Sequence, residues 1–95
     1  MDTANFDWDE ANISHIAEHN VAPEEAEEVL LGNSFEVGFD VVNHEERWVF
    51  IGETNSERIL RVVMAVRNEK IRVVTAFEPS KRAKMLYLAR KASEK

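Results

Sequence analysis

Residues 59–77 read Ile59-Leu60-Arg61-Val62-Val63-Met64-Ala65-Val66, then Arg67-Asn68-Glu69-Lys70, then Ile71-Arg72-Val73-Val74-Thr75-Ala76-Phe77. Two runs dominated by β-branched and apolar residues flank a short polar break, the pattern of two strands joined by a tight hairpin loop. A connection that short forces the strands to run antiparallel. Side chains alternate across a strand, so Leu60, Val62, Met64 and Val66 share one face and Arg61, Val63, Ala65 and Arg67 the other. In the second run Ile71, Val73 and Thr75 oppose Arg72, Val74 and Ala76. The expectation is that Arg61 and Arg72 lie on one open face of the sheet if the register brings them together.

Upstream, Arg47–Glu53 is a third strand and Ser34–Val42 a weaker fourth, with Thr54-Asn55-Ser56-Glu57 as another short polar loop. Before them lie two helical segments. Asp7 is placed to cap the first, with Glu10 completing a capping box, and Ile13, Ile16 and Ala17 form its apolar stripe. Asn12, His15 and His19 fall on a neighbouring stripe, because steps of three and four residues return to one side of a helix. His19-Asn20-Val21 ends it. Pro23 suits the first turn of the next helix, Glu24 and Glu25 favour its positive end, and Ala26, Val29 and Leu30 give the apolar spacing before Gly32-Asn33 stops it. Pro79-Ser80 opens a last helix running to about Lys91, with Lys81, Lys84, Lys91 and Lys95 on one side and Leu88 among them. Helices, then strands, then a helix predict an α+β domain over residues 1–95: a mostly antiparallel sheet of three to four strands, covered on one face.

Composition narrows the chemistry. Residues 1–57 hold fifteen acidic side chains and one basic, Arg47, whereas residues 58–95 hold eleven basic and three acidic, although the whole chain sums to −6. A net acidic domain with its cations gathered in one half can still present a positive face. The absence of cysteine excludes disulfides, thiolate metal sites and a thiol nucleophile. Apolar runs fall far short of the roughly 20 residues that span a bilayer, and Met1-Asp2 does not resemble the start of a signal peptide, so a cytoplasmic protein is expected. Three glycines make no phosphate-cradling loop, and no serine sits in a nucleophile elbow.

Three stretches together resemble a known family: Phe6-Asp7-Trp8-Asp9-Glu10, then His19-Asn20-Val21-Ala22-Pro23-Glu24-Glu25-Ala26-Glu27-Glu28-Val29, then Ile71-Arg72-Val73-Val74-Thr75-Ala76 followed by a basic helix ending near Tyr87. Their order and spacing are similar to the BrnT toxins of type II toxin–antitoxin systems. The resemblance implies a RelE-like fold and a metal-independent ribonuclease without a cofactor. It also implies a cognate antitoxin that neutralises the toxin. This chain departs from the family pattern at four places: Phe77 stands where an arginine is common, Ala83 where a glutamate is common, Asn12 near a usual lysine, and Asn20 for the glycine of the turn.

Metal-free RNA cleavage needs a base for the 2′-hydroxyl, an acid for the leaving 5′-oxygen and a positive charge on the phosphate. Imidazole has the unperturbed pKa for the first two tasks, which makes His15 and His19 the candidate catalytic pair. Arg61, Arg72, Lys81, Arg82 and Lys84 are candidate phosphate contacts, and Trp8 or Phe77 a candidate stacking platform. The same residues have plainer roles: a solvated cationic face, a polar helix flank, and tryptophans (Trp8, Trp48) spent on the core or an interface. A zinc site on His15 and His19 needs a third ligand, such as His44, and the spacing does not demand one. Two functions stand side by side, a ribonuclease toxin and a non-catalytic interaction module of the same fold.

Overall fold

A computed structural model describes residues 5–94; Met1, Asp2 and Lys95 of the readings above lie outside them. Seven elements follow in order: α1 (Glu10–Ala17), α2 (Pro23–Leu31), β1 (Phe35–Val42), β2 (Glu45–Glu53), β3 (Ile59–Arg67), β4 (Lys70–Phe77) and α3 (Lys81–Ser93). The strands form one antiparallel meander in the order β1-β2-β3-β4. The α+β architecture is the expected one, with the weak Ser34–Val42 segment realised as edge strand β1. Both β1–β2 and β3–β4 turn through two residues with positive φ, Asn43-His44 and Asn68-Glu69, the backbone twist that two-residue hairpins favour.

The cap of α1 differs from expectation. Asp9, not Asp7, is the N-cap, and Asn12 rather than Glu10 closes the box: Asp9 N–H donates to Asn12 Oδ1 at 2.8 Å and Asn12 N–H donates to Asp9 Oδ1 at 3.1 Å. Asp7 is unsuited to the role because its backbone is already engaged with β4, its N–H donating to Ile71 C=O at 2.8 Å. With Ile71 N–H donating to Asn5 C=O, the segment before α1 makes a short parallel bridge on the outer edge of β4. Such a bridge occupies backbone groups that would otherwise be an open sheet edge.

Register reorganises the faces of β4. Arg61 pairs with Phe77, Val62 with Ala76 and Val63 with Thr75, but Met64 pairs with Val73, leaving Val74 as a bulge. Beyond it, Ala65 pairs with Arg72. Arg72 therefore shares a face with Arg61, Thr75 and Phe77, while Val73 and Ala76 go together to the core, contrary to strict alternation. Without the extra residue, the Arg61–Phe77 register would send Arg72 to the opposite face.

As expected, α1 and α2 close one face of the sheet; the other is overlaid only in part, by α3. Ile16 and Val21 join Ala26 and Val29 of α2, Leu60 and Val62 of β3 and Val73 and Ala76 of β4 in a single buried cluster. At Gly52 of β2 the helical layer comes so close that a Cβ would lie 2.8 Å from the Ser34 Cβ and 3.2 Å from Val29 Cγ1. Its neighbour Ile51 points the other way, pairs with Phe35, and meets α3, where the Tyr87 ring lies 5.7 Å from Phe35. Tyr87, 4% exposed, is the one buried residue of α3. The basic helix thus docks through one aromatic anchor, and Met85, Leu86 and Leu88 are left exposed.

Candidate active site and cationic face

Asn12 positions the first part of the site. It is a buried polar side chain, and its amide donates to Asp7 C=O at 3.0 Å and to Val73 C=O at 3.2 Å. One residue therefore caps α1 and pins it to β4. One turn further on, His15 Nε2 lies 3.0 Å from Thr75 Oγ1, and the His15 and His19 rings meet edge to face with centroids 5.4 Å apart. His19 in turn lies 5.8 Å from the Phe77 ring, and Phe77 is the cross-strand neighbour of Arg61. His15, His19, Phe77 and Arg61 form a continuous band from the α1 edge onto the α3 face of the sheet.

Asn20 explains how the chain leaves this band. Its φ of 61° is left-handed, a conformation that asparagine tolerates better than most residues other than glycine. Its carbonyl accepts from Arg58 Nη1 at 2.6 Å. The same guanidinium bonds Glu25 at 2.9 Å and Glu78 at 3.0 Å, tying the α1–α2 turn, α2 and the β4–α3 connection together. Sequence reasoning passed over Arg58; its only local signal is a lone cation at the start of a strand, and its three partners come from distant positions.

The candidate phosphate contacts divide in two. Arg72 is committed: it pairs with Asp9 at 3.0 Å and Asp7 at 3.4 Å, its side chain is 13% exposed, and its guanidinium holds the Asp9 carboxyl below the usual carboxylate range. It lines a shallow cleft of about 210 Å³ with Asn12, His15 and Arg67. Arg67 and Arg47 are likewise taken by Glu45, whose carboxyl the Arg67 hydrogen bond in particular brings down to about 2 against opposing desolvation. Lys84 pairs with Glu78 at 3.0 Å and Lys91 with Glu53. By contrast, Arg61, Lys81, Arg82 and Arg90 have no carboxylate within 4.0 Å among the described residues. The first three were singled out in the sequence; Arg90 was not, and its guanidinium sits 4.1 Å over the Phe35 ring.

Trp8 is not an open platform. Its indole Nε1–H donates to Glu27 at 2.7 Å and its ring packs on the core, so it ties the N-terminal segment to α2. Phe77 is the aromatic ring that the fold places beside the histidines. His44 sits on the β1–β2 turn, away from α1, and no group of three or more His, Cys, Asp or Glu that could hold a metal ion is found among the described residues. None of the helices described is long and apolar enough to cross a membrane.

Over residues 8–82 the chain matches the family model described as the ribonuclease toxin BrnT of type II toxin–antitoxin systems. A search of curated proteins gives no match. The matched span runs from Trp8 into the first turn of α3, so it includes the histidine pair, the whole sheet and Arg61.

Proposed function

The chain belongs to the BrnT family of ribonuclease toxins of type II toxin–antitoxin systems, and on that premise we propose that it is a metal-independent endoribonuclease acting in the cytoplasm and neutralised by a cognate antitoxin. The observation that carries the assignment of residues is the band of His15, His19, Phe77 and Arg61. A neutral imidazole of the pair takes the proton of the RNA 2′-hydroxyl as that oxygen attacks phosphorus. The other, as imidazolium, gives a proton to the departing 5′-oxygen. The products are a 2′,3′-cyclic phosphate and a 5′-hydroxyl, with one proton taken up and one released. Arg61 balances the charge of the pentacoordinate phosphorane, and Phe77 offers its face to a flanking base. Lys81 and Arg82, at the start of α3, extend the positive track for the backbone, with Lys84 joining it if its pairing with Glu78 gives way.

The second reading, a non-catalytic module, is favoured by a specific observation: Arg72, a strand arginine available in the sequence for phosphate, is held by two aspartates. Induced expression in a bacterial host, with growth and total RNA followed together, separates the two. The expected result is growth arrest with RNA loss, relieved by His15→Ala/His19→Ala and by Arg61→Ala. Normal growth and intact RNA with soluble, folded protein would reject the ribonuclease. Arrest that survives both variants would reject this choice of residues.

A further inference from the structure

Between α3 and the sheet lies an open groove of about 240 Å³, floored by Phe35, Val37, Ile51, Ala83, Leu86 and Tyr87 and rimmed by Arg61 and Arg90. Three observations converge on it. Its floor is apolar, and Leu86 is 60% exposed beside an equally open Met85. Its rim cations lack acidic partners: Arg47, Arg58, Arg67 and Arg72 each have a carboxylate within reach, whereas Arg61 and Arg90 have none among the described residues, Arg90 resting only on the Phe35 ring. The helix forming its outer wall buries only Tyr87, so its packing is incomplete.

We propose that this groove docks an amphipathic segment of a protein partner, apolar on the face it presents and acidic along its flanks. The volume is smaller than that of most small-molecule pockets and suits one or two apolar side chains from a peptide. Aspartates or glutamates beside those side chains meet Arg61 and Arg90 on the rim, giving each a carboxylate that no described residue supplies. A polyanion matches the cations but not the floor, since phosphates gain nothing from Ile51 or Leu86. Occupation of the groove has a direct consequence for the toxin reading, on which this part of the inference rests: it removes Arg61 from the path of RNA and neutralises the protein without touching the histidines.

The test uses the full chain and the cognate antitoxin of the proposed system, purified separately. Their affinity is measured for the natural chain and for Leu86→Glu, Arg90→Glu and, as a surface control on α2, Leu31→Glu, all checked for an unchanged thermal transition. Hydrogen exchange of the complex maps the contact. Expected are protection of β1 and α3, at least about tenfold weaker binding for Leu86→Glu and Arg90→Glu, no change for Leu31→Glu, and affinity that falls with salt. Protection confined to other elements, equal binding by all variants, or no complex at all would overturn the groove. So would groove variants that weaken RNA binding while sparing the partner, which would give the surface to RNA. A chain that binds its partner through the groove yet neither arrests growth nor cleaves RNA would reject the ribonuclease and keep the groove. Growth arrest together with a contact mapped elsewhere would do the opposite.

Discussion

Replacing Asn12 by alanine should be among the most damaging single changes to the described fold, although the residue is small and polar. Its side chain accepts from Asp9 N–H and donates to Asp7 C=O and to the buried Val73 C=O. Alanine keeps the helix but loses all three bonds. At a net of about 1 kcal/mol per hydrogen bond, with a further cost for a buried carbonyl left unpaired, the loss is about 2–4 kcal/mol. That is a large part of the 5–15 kcal/mol, roughly, by which a domain is stable. Urea unfolding followed by tryptophan fluorescence reads it directly, with a midpoint lower by about 1–2 M for a slope in the usual range for small domains. Asn12→Asp is the sharper control. It keeps the acceptor for Asp9 N–H but turns an oxygen toward two carbonyls, so it should be at least as destabilising as alanine. A loss below about 1 kcal/mol for Asn12→Ala, or an aspartate variant milder than alanine, would refute the claim that this amide pins α1 to β4.

Three further outcomes follow from the ion pairs and the aromatic anchor. Tyr87 is the only tyrosine, and burial, aided by the Glu53 carboxylate, pushes its phenol up to about 12. Absorbance titration should therefore show ionisation near 12 in the folded chain and near 10 in urea, with the associated stability present below pH 10 and lost as pH rises through 12; a folded-state midpoint near 10 would show that α3 is not docked. Glu45, held at about 2 by Arg67 first and Arg47 after it, contributes stability that is complete above 4.5 and lost as pH falls through 2. Glu45→Gln should flatten acid unfolding between those limits, and an unchanged profile would contradict the pairing. Asp7→Asn/Asp9→Asn keeps a good N-cap residue but releases Arg72, so RNA binding should tighten and its salt dependence should steepen by about one phosphate contact. No change in that slope would place Arg72 outside the RNA surface.

The strands and helices were legible because their patterns are local: β-branched runs, short polar loops, a proline at the start of α2 and a serine before α3 all act within a few residues. What escaped was set by partners far along the chain. The bulge at Val74 leaves no mark in the run Val73-Val74-Thr75-Ala76, yet it is what brings Arg72 to the expected face beside Arg61. The cap fell on Asp9 because Asp7 was already bonded to Ile71, 64 positions away, a competition no helix rule contains. Of the candidate site, the i, i+4 histidine pair was visible as a helical spacing, and its meeting with Phe77 was not. Trp8 looked equally suited to stacking or packing, and only Glu27 and the core decide for packing.

Cation pairing also reconciles a net charge of −6 with the polyanionic substrate proposed for the chain. Arg58, Arg67 and Arg72 come from the basic half, yet each spends its charge on a carboxylate from the acidic half; the Arg58 and Arg72 pairs tie α2 and the start of α1 to the sheet, and the Arg67 pair joins β3 to β2. The pairing leaves a surplus on the α3 side: Arg61, Lys81, Arg82 and Arg90, unpaired among the described residues. A charge with no internal partner is fully available to an external one, whereas a paired charge must first give up what it has. On the proposed function, RNA and an acidic partner segment would therefore compete for the same few groups. Arg61 lies between Phe77 of the histidine band and the apolar groove, so a partner seated in that groove would silence the proposed site by masking Arg61 and leave the imidazoles exposed.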